Sequence, residues 1–176
     1  MMIGNLLIYG AVVPSIGRVA TLAWAAGRDE SFAEYGRYLL FATGALLAGA
    51  FGYLSFQFVT TDYTNQYVWN HTADYLPVFY RWTGSYAGIN GSLLLWAALV
   101  AVFAAWLGRR IPDREHALVV TFAAGTTAAF AVRSMFRTPF EPLAFDAGRL
   151  VFGPTGLNPL LVNPYMGIHP PVTFAG

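Results

Sequence analysis

Two stretches of the chain, Tyr38–Thr61 and Trp82–Gly108, contain no Asp, Glu, Lys, Arg or His. Each exceeds the roughly 20 apolar residues that a helix needs to cross the hydrocarbon core of a bilayer. Two further apolar stretches carry interruptions. Met2–Ala26 contains Pro14 and Arg18, and Ala117–Val132 is closed by Arg133, with Met135 and Phe136 extending it. The pattern predicts an all-α, polytopic transmembrane bundle of about four helices, near 2–26, 37–60, 88–108 and 116–136. An aromatic external loop at 61–87 and an external C-terminal segment at 137–176 complete the chain. Arg18, about two turns from the end of its span, is expected to snorkel toward the headgroups, with facing a protein interior as the alternative. Small residues crowd the second span (Gly44, Ala45, Ala48, Gly49) and the fourth (Ala123, Ala124, Gly125, Ala128), as close helix packing requires.

Composition agrees. The chain is 56% hydrophobic and only 11% charged, against about a quarter charged in a soluble domain. Lysine is absent, so orientation rests on arginine. Arg28 and Arg37, then Arg109, Arg110 and Arg114, fall in the two short connections, whereas the 61–87 loop carries only Arg81. The positive-inside rule therefore puts the short connections in the cytoplasm and both termini outside, with Arg133, Arg137 and Arg149 running against that assignment. The first span lacks the basic start and cleavage site of a signal peptide. A net charge of +1 without a basic stripe gives no footprint for nucleic acid. The absence of cysteine excludes disulfides, iron–sulfur clusters and thiolate metal sites.

Candidate chemistry is confined to a few places. The 61–87 loop is dense in Tyr and Trp, which serve either as headgroup anchors or as a platform for a flat apolar ligand. His116 reads as a solvated turn residue, and His71, near Asp74, as structural or surface. His169 stands between Ile168 and the pair Pro170-Pro171, after a segment stiffened by Pro159 and Pro164. Proline fixes φ and removes backbone donors, so the sequence predicts a rigid, non-helical approach to this imidazole. One histidine does not make a zinc site, which takes three or four ligands. Haem needs only one or two axial histidines and an apolar, aromatic surround. There is no hydrolytic triad, phosphate-binding glycine loop or paired catalytic carboxylate arrangement.

The motifs carry a resemblance. Asp62-Tyr63-Thr64 with Tyr67-Val68, Leu76-Pro77-Val78 with Tyr80-Arg81, Gly91-Ser92-Leu93-Leu94-Leu95-Trp96, Leu157-Asn158-Pro159-Leu160-Leu161 and Ile168-His169-Pro170-Pro171 occur in this order. This series resembles the N-terminal part of the CcmF family, the haem-lyase subunits of cytochrome c maturation, which are tryptophan-rich haem-handling membrane proteins. The resemblance implies that His169 is an axial ligand of haem b, supported by Pro170, Pro171, Asn158 and Pro159. Tyr67, Tyr80, Gly91, Ser92 and Trp96 are the aromatic and motif positions beside it. Implied partners are a haem chaperone, an apocytochrome c, a thiol-reducing protein and the remaining part of the haem lyase, in a prokaryotic cell membrane. The chain departs from the family where W-G-x-H-E-G-S is usual: Tyr86-Ala87-Gly88-Ile89-Asn90-Gly91-Ser92 lacks the histidine and glutamate. It also ends before the tryptophan-rich segment and the second external histidine, as a split subunit or a fragment would. Alternatives from other classes are a transporter or channel subunit and a scaffold that holds no haem.

Overall fold

A computed structural model describes residues 1–24, 30–110, 114–144 and 153–175. The elements are α1 (Met2–Trp24), α2 (Glu30–Val59), α3 (Gln66–His71), α4 (Val78–Gly84), α5 (Ile89–Arg110), α6 (Arg114–Phe136), a 3-10 turn (Pro159–Leu161) and α7 (Pro164–Ala175). The long helices close into a ring in which α1 packs on α2, α2 on α5, α5 on α6 and α6 back on α1. Three of them hold windows long and apolar enough to cross a membrane: Met2–Ala20, Tyr35–Val59 and Ile89–Arg109. The expected fourth helix is present as α6, although it is not among those three, and part of its N-terminal half, His116 included, has side chains outside the described residues.

Close packing follows from small side chains. A Cβ on Gly44 of α2 would stand 3.4 Å from the backbone oxygen of Ala101 in α5, so the two helices meet nearly backbone to backbone. Leu47, Ala50, Leu54 and Phe58 of α2 join Leu94, Ala97, Ala98 and Ala101 of α5 and Ile8 and Ala11 of α1 in one core. Arg18 does not snorkel. It is 8% exposed, and its guanidinium occupies the space that any side chain at Gly36 of α2 would need. The glycine creates an inward berth, so the long side chain folds into the bundle instead of reaching outward.

The aromatic loop is an ordered layer across one end of the ring, with two helical turns of its own. Asn65 is fully buried and caps α3 by accepting from the Tyr67 amide at 2.8 Å. Its side-chain amide donates to Gln57 Oε1 (3.1 Å), and Gln57 in turn donates to the Asp62 carboxylate (3.0 Å). Partial burial works against the charge on Asp62, yet hydrogen bonds from Thr64 and Gln57 prevail and hold its pKa below the ordinary value. Leu143 and Gln66 exchange backbone bonds across the layer with Thr64 and Glu141, pinning the segment after α6. Phe140 is then driven under α1, against Gly4.

The Tyr67 hydroxyl fixes where α5 begins. It accepts from the amides of Gly88 (3.0 Å) and Gly91 (3.2 Å) and donates to the Gly88 carbonyl (3.0 Å). One hydroxyl thus uses its full hydrogen-bonding capacity at the helix start, where the Gly88 and Gly91 amides lack intrahelical partners and the Gly88 carbonyl also accepts from the Ser92 amide at 3.0 Å. Gly91 is obligatory here, because a Cβ would overlap the Ser85 carbonyl oxygen. Tyr67→Phe should destabilise the fold by about 1–3 kcal/mol, lowering the thermal midpoint in detergent, with Gly91→Val more damaging. An unchanged midpoint for both would contradict this account of the α5 start.

Candidate functional site

The double proline sits inside a helix, contrary to the expectation of a non-helical approach to His169. Pro164 opens α7, whose cap Asn163 accepts from the Tyr165 amide at 2.9 Å. Pro171 has no N–H, so the carbonyl of Gly167, four residues earlier, loses its helical donor. That carbonyl instead accepts a buried hydrogen bond from the Tyr86 hydroxyl at 2.7 Å. The backbone of α7 approaches α4 closely at the same point: a Cβ on Gly167 would stand 2.9 Å from Thr83 Cγ2 and 3.2 Å from the Phe79 ring. Glycine permits the contact, proline frees the acceptor and tyrosine satisfies it. Burial raises the Tyr86 pKa from 10.0 to about 12, so the hydroxyl remains a donor across the neutral range.

Docking through Gly167 turns the opposite side of α7 outward. Tyr165, Ile168, His169 and Val172 follow helical spacing and are all exposed, giving an apolar stripe with an imidazole within it. His169 Nε2 has only a long, 3.4 Å contact with Thr173 Oγ1, whose hydroxyl also donates to the His169 carbonyl at 2.8 Å. The ring is accessible from outside, and its donor set suits one axial bond.

The other expected positions divide into separate groups. Asn158 and Pro159 cap and open the 3-10 turn, where Asn158 Oδ1 accepts from the Leu160 amide at 3.0 Å. They line a cavity of about 450 Å³ with His71, Ala87 and Leu157, rather than the surface around His169. Pro170 faces inward to the seam with Tyr86 and Gly167. Tyr67 and Gly91 meet at the α5 start as described. Ser92 bonds locally to the Ile89 carbonyl, at 3.1 Å. Tyr80 covers the cluster of Ala73, Leu76 and Leu157, and Trp96 packs against Phe130 of α6 with ring centroids 4.7 Å apart.

His71 is more embedded than a surface residue. Its Nδ1 donates to the Tyr67 carbonyl at 2.9 Å, which fixes the tautomer and leaves Nε2 unprotonated, facing Gly88. Burial lowers its pKa despite that bond, so the ring is neutral at pH 7. A second cavity of about 460 Å³ lies on its other flank, where His71 and Glu141 share the lining with Ile89 and Asn90. The imidazole and carboxylate missing from the W-G-x-H-E-G-S position are thus present in the same cavity on other elements. Sequence spacing gave no sign of this, since Glu141 lies 70 residues beyond His71. Tyr86 and Gly167 were equally hidden. The one available signal for that pair was the unfilled carbonyl that a helical Pro171 creates.

Bundle and end layer together define a helical membrane protein in which, among the described residues, His169 on the docked α7 is the exposed histidine. No protein-family model matches the chain. The chain is 31% identical over 174 residues to the cytochrome c-type biogenesis protein ccl1 of Rhodobacter capsulatus, covering 94% of this chain and 24% of that protein. It is 33% identical over 142 residues to CcmF of Escherichia coli, covering 79% and 21% respectively. The solved structure of the cytochrome c haem lyase CcmF superposes over 98% of this chain and 27% of its own, with TM-score 0.78 at 21% identity, which shows a shared fold. The chain belongs with the CcmF-type cytochrome c biogenesis proteins and spans about a quarter of the length of the curated relatives it matches.

The docking bond yields a pH expectation. A phenol whose folded pKa is raised contributes stability that is fully present below its unfolded value of 10.0 and is lost as pH rises through about 12. Amide-exchange protection of residues 164–175 should therefore stay constant between neutral pH and 10.0 after correction for intrinsic exchange. Tyr86→Phe should lower that protection roughly tenfold, the effect of about 1.4 kcal/mol for a lost buried bond. Equal protection in the variant would show that the hydroxyl does not hold α7.

Proposed function

We propose that the chain is a multi-pass membrane component of cytochrome c maturation, in which His169 gives haem b an axial ligand while haem is held for attachment to apocytochrome c. The observation that carries this reading is the accessible imidazole within the Tyr165–Ile168–Val172 stripe, on a helix pinned from behind by Tyr86. Bound haem supplies the iron and the vinyl groups that react with the apocytochrome thiols. This chain's residues orient and position: Tyr86, Gly167 and Pro171 fix the helix, and the apolar stripe offers a dry edge beside the ligand.

One imidazole would hold haem only in part, and a second holding group would have to come from elsewhere. The remaining part of the haem lyase is the source we assign to it, with a haem chaperone delivering haem and a thiol-reducing protein keeping the apocytochrome competent. The α3–α4 layer, α7 and both termini then lie outside the cytoplasm, and α6 crosses the membrane as a fourth span. Membership among the CcmF-type proteins supports this reading over a transporter or a passive scaffold. Arg18, the ionisable side chain buried within the first span, packs against Gly36 of α2.

The test is co-production of the chain with the remaining part of a haem lyase, followed by optical spectroscopy of the purified complex. His169→Ala should reduce the haem attached through this site at least about tenfold, whereas His71→Ala should leave its axial spectrum in place. Undiminished haem and an unchanged spectrum in His169→Ala would favour the scaffold reading.

A further inference from the structure

The end of the bundle away from the α3–α4 layer carries a second feature. Antiparallel packing of α2 and α5 brings Arg37, Tyr38 and Phe41 beside Arg109, around a cavity of about 280 Å³. The helices are close there, since a Cβ on Gly108 would lie 3.3 Å from Leu40 Cδ1. The Arg109 guanidinium rests over the Phe41 ring, 4.2 Å from its centroid, which holds the charge at the cavity wall without neutralising it. Among the described residues no carboxylate lines the cavity, and none pairs with Arg37 or Arg109.

Both arginines lie at the ends of membrane-spanning stretches, Tyr35–Val59 and Ile89–Arg109. One turn deeper on α5, the exposed side chains Val102, Phe103 and Trp106 continue along the Arg109 side, with the Phe103 and Trp106 rings 5.7 Å apart. Cationic groups at headgroup depth above an exposed apolar lane match a molecule with a negative head and an acyl tail. Guanidinium favours phosphate because its planar fork donates two parallel hydrogen bonds.

We propose that this cavity binds the phosphodiester head of an anionic phospholipid, held by Arg37 and Arg109, while an acyl chain runs along Val102, Phe103 and Trp106. A free phosphate shares the head chemistry but not the lane. The site is independent of the haem reading, being at the other end of the helices.

The experiment titrates the full chain, purified in mild detergent, with phosphatidylglycerol, phosphatidylcholine and inorganic phosphate, reading bound species by native mass spectrometry. Phosphatidylglycerol should bind in preference to phosphatidylcholine, and equimolar inorganic phosphate should not displace it. Arg37→Gln with Arg109→Gln should weaken phosphatidylglycerol about thirtyfold, as expected for two arginines near a membrane surface. Arg133→Gln with Arg137→Gln, at the opposite end, should leave it unchanged. Should the glutamine pair fail to fold by circular dichroism, Phe103→Ala with Trp106→Ala substitutes for it and should weaken lipid without touching the arginines. Equal binding of the two lipids, equal losses from the two arginine pairs, or displacement by equimolar phosphate would each overturn the proposal.

Discussion

A single hydrogen bond, from the Tyr86 hydroxyl to the Gly167 carbonyl, sets the arrangement of the functional end. Within α7 that carbonyl has no donor, because the residue that should supply one is Pro171. An unsatisfied buried carbonyl would cost about 1–3 kcal/mol, a sizeable share of a folded domain's net stability. The end layer answers it with a phenol from the turn between α4 and α5, and the absence of a side chain at Gly167 lets the two backbones come close enough for the bond to form. Everything on the outer side of α7 follows from that attachment: with Gly167 and Pro170 turned inward, helical geometry places residues 165, 168, 169 and 172 outward. The prolines that would ordinarily break a helix here create the acceptor by which it is held.

The two histidines of this end occupy opposite environments. His71 is half-buried between cavities, stacked on Tyr67 with ring centroids 4.3 Å apart, and locked in one tautomer by a backbone carbonyl. His169 is exposed and lightly held. His169 is the more reachable of the two, whereas His71 lines the polar cavity that it shares with Glu141, Asn70 and Asn90.

The bundle was legible in the sequence because lipid-spanning helices declare themselves by uninterrupted apolar length, and the expected boundaries lie within a few residues of the observed ones except at the start of α2. That helix begins at Glu30, since the charged residues before Tyr38 lengthen a helix as readily as they form a connection. Two readings failed for a shared reason. Arg18 was expected at the headgroups and α7 was expected to be irregular, because both expectations used local rules alone. In each case a residue elsewhere in the chain decides the outcome: Gly36 opens space for the arginine, and Tyr86 supplies the donor that Pro171 cannot. The aromatic loop likewise looked like a membrane anchor or a platform. It is mainly a structural layer, in which Tyr67 and Tyr86 spend their hydroxyls on backbone groups. The motif Gly91-Ser92 was recognisable, but its physical reason, contact with the Ser85 carbonyl, needed three dimensions.

The chain's lack of cysteine makes the central claim directly measurable. Single cysteines placed in turn at residues 164–173 can be labelled with a membrane-impermeant maleimide in intact, assembled protein. The account predicts rapid labelling at 165, 168, 169 and 172 and slow labelling at 170, with a cysteine at 167 releasing the helix and making 170 accessible in the double variant. Uniform labelling of the single variants at 165, 168, 169, 170 and 172, or protection at 169 with access at 170, would contradict it.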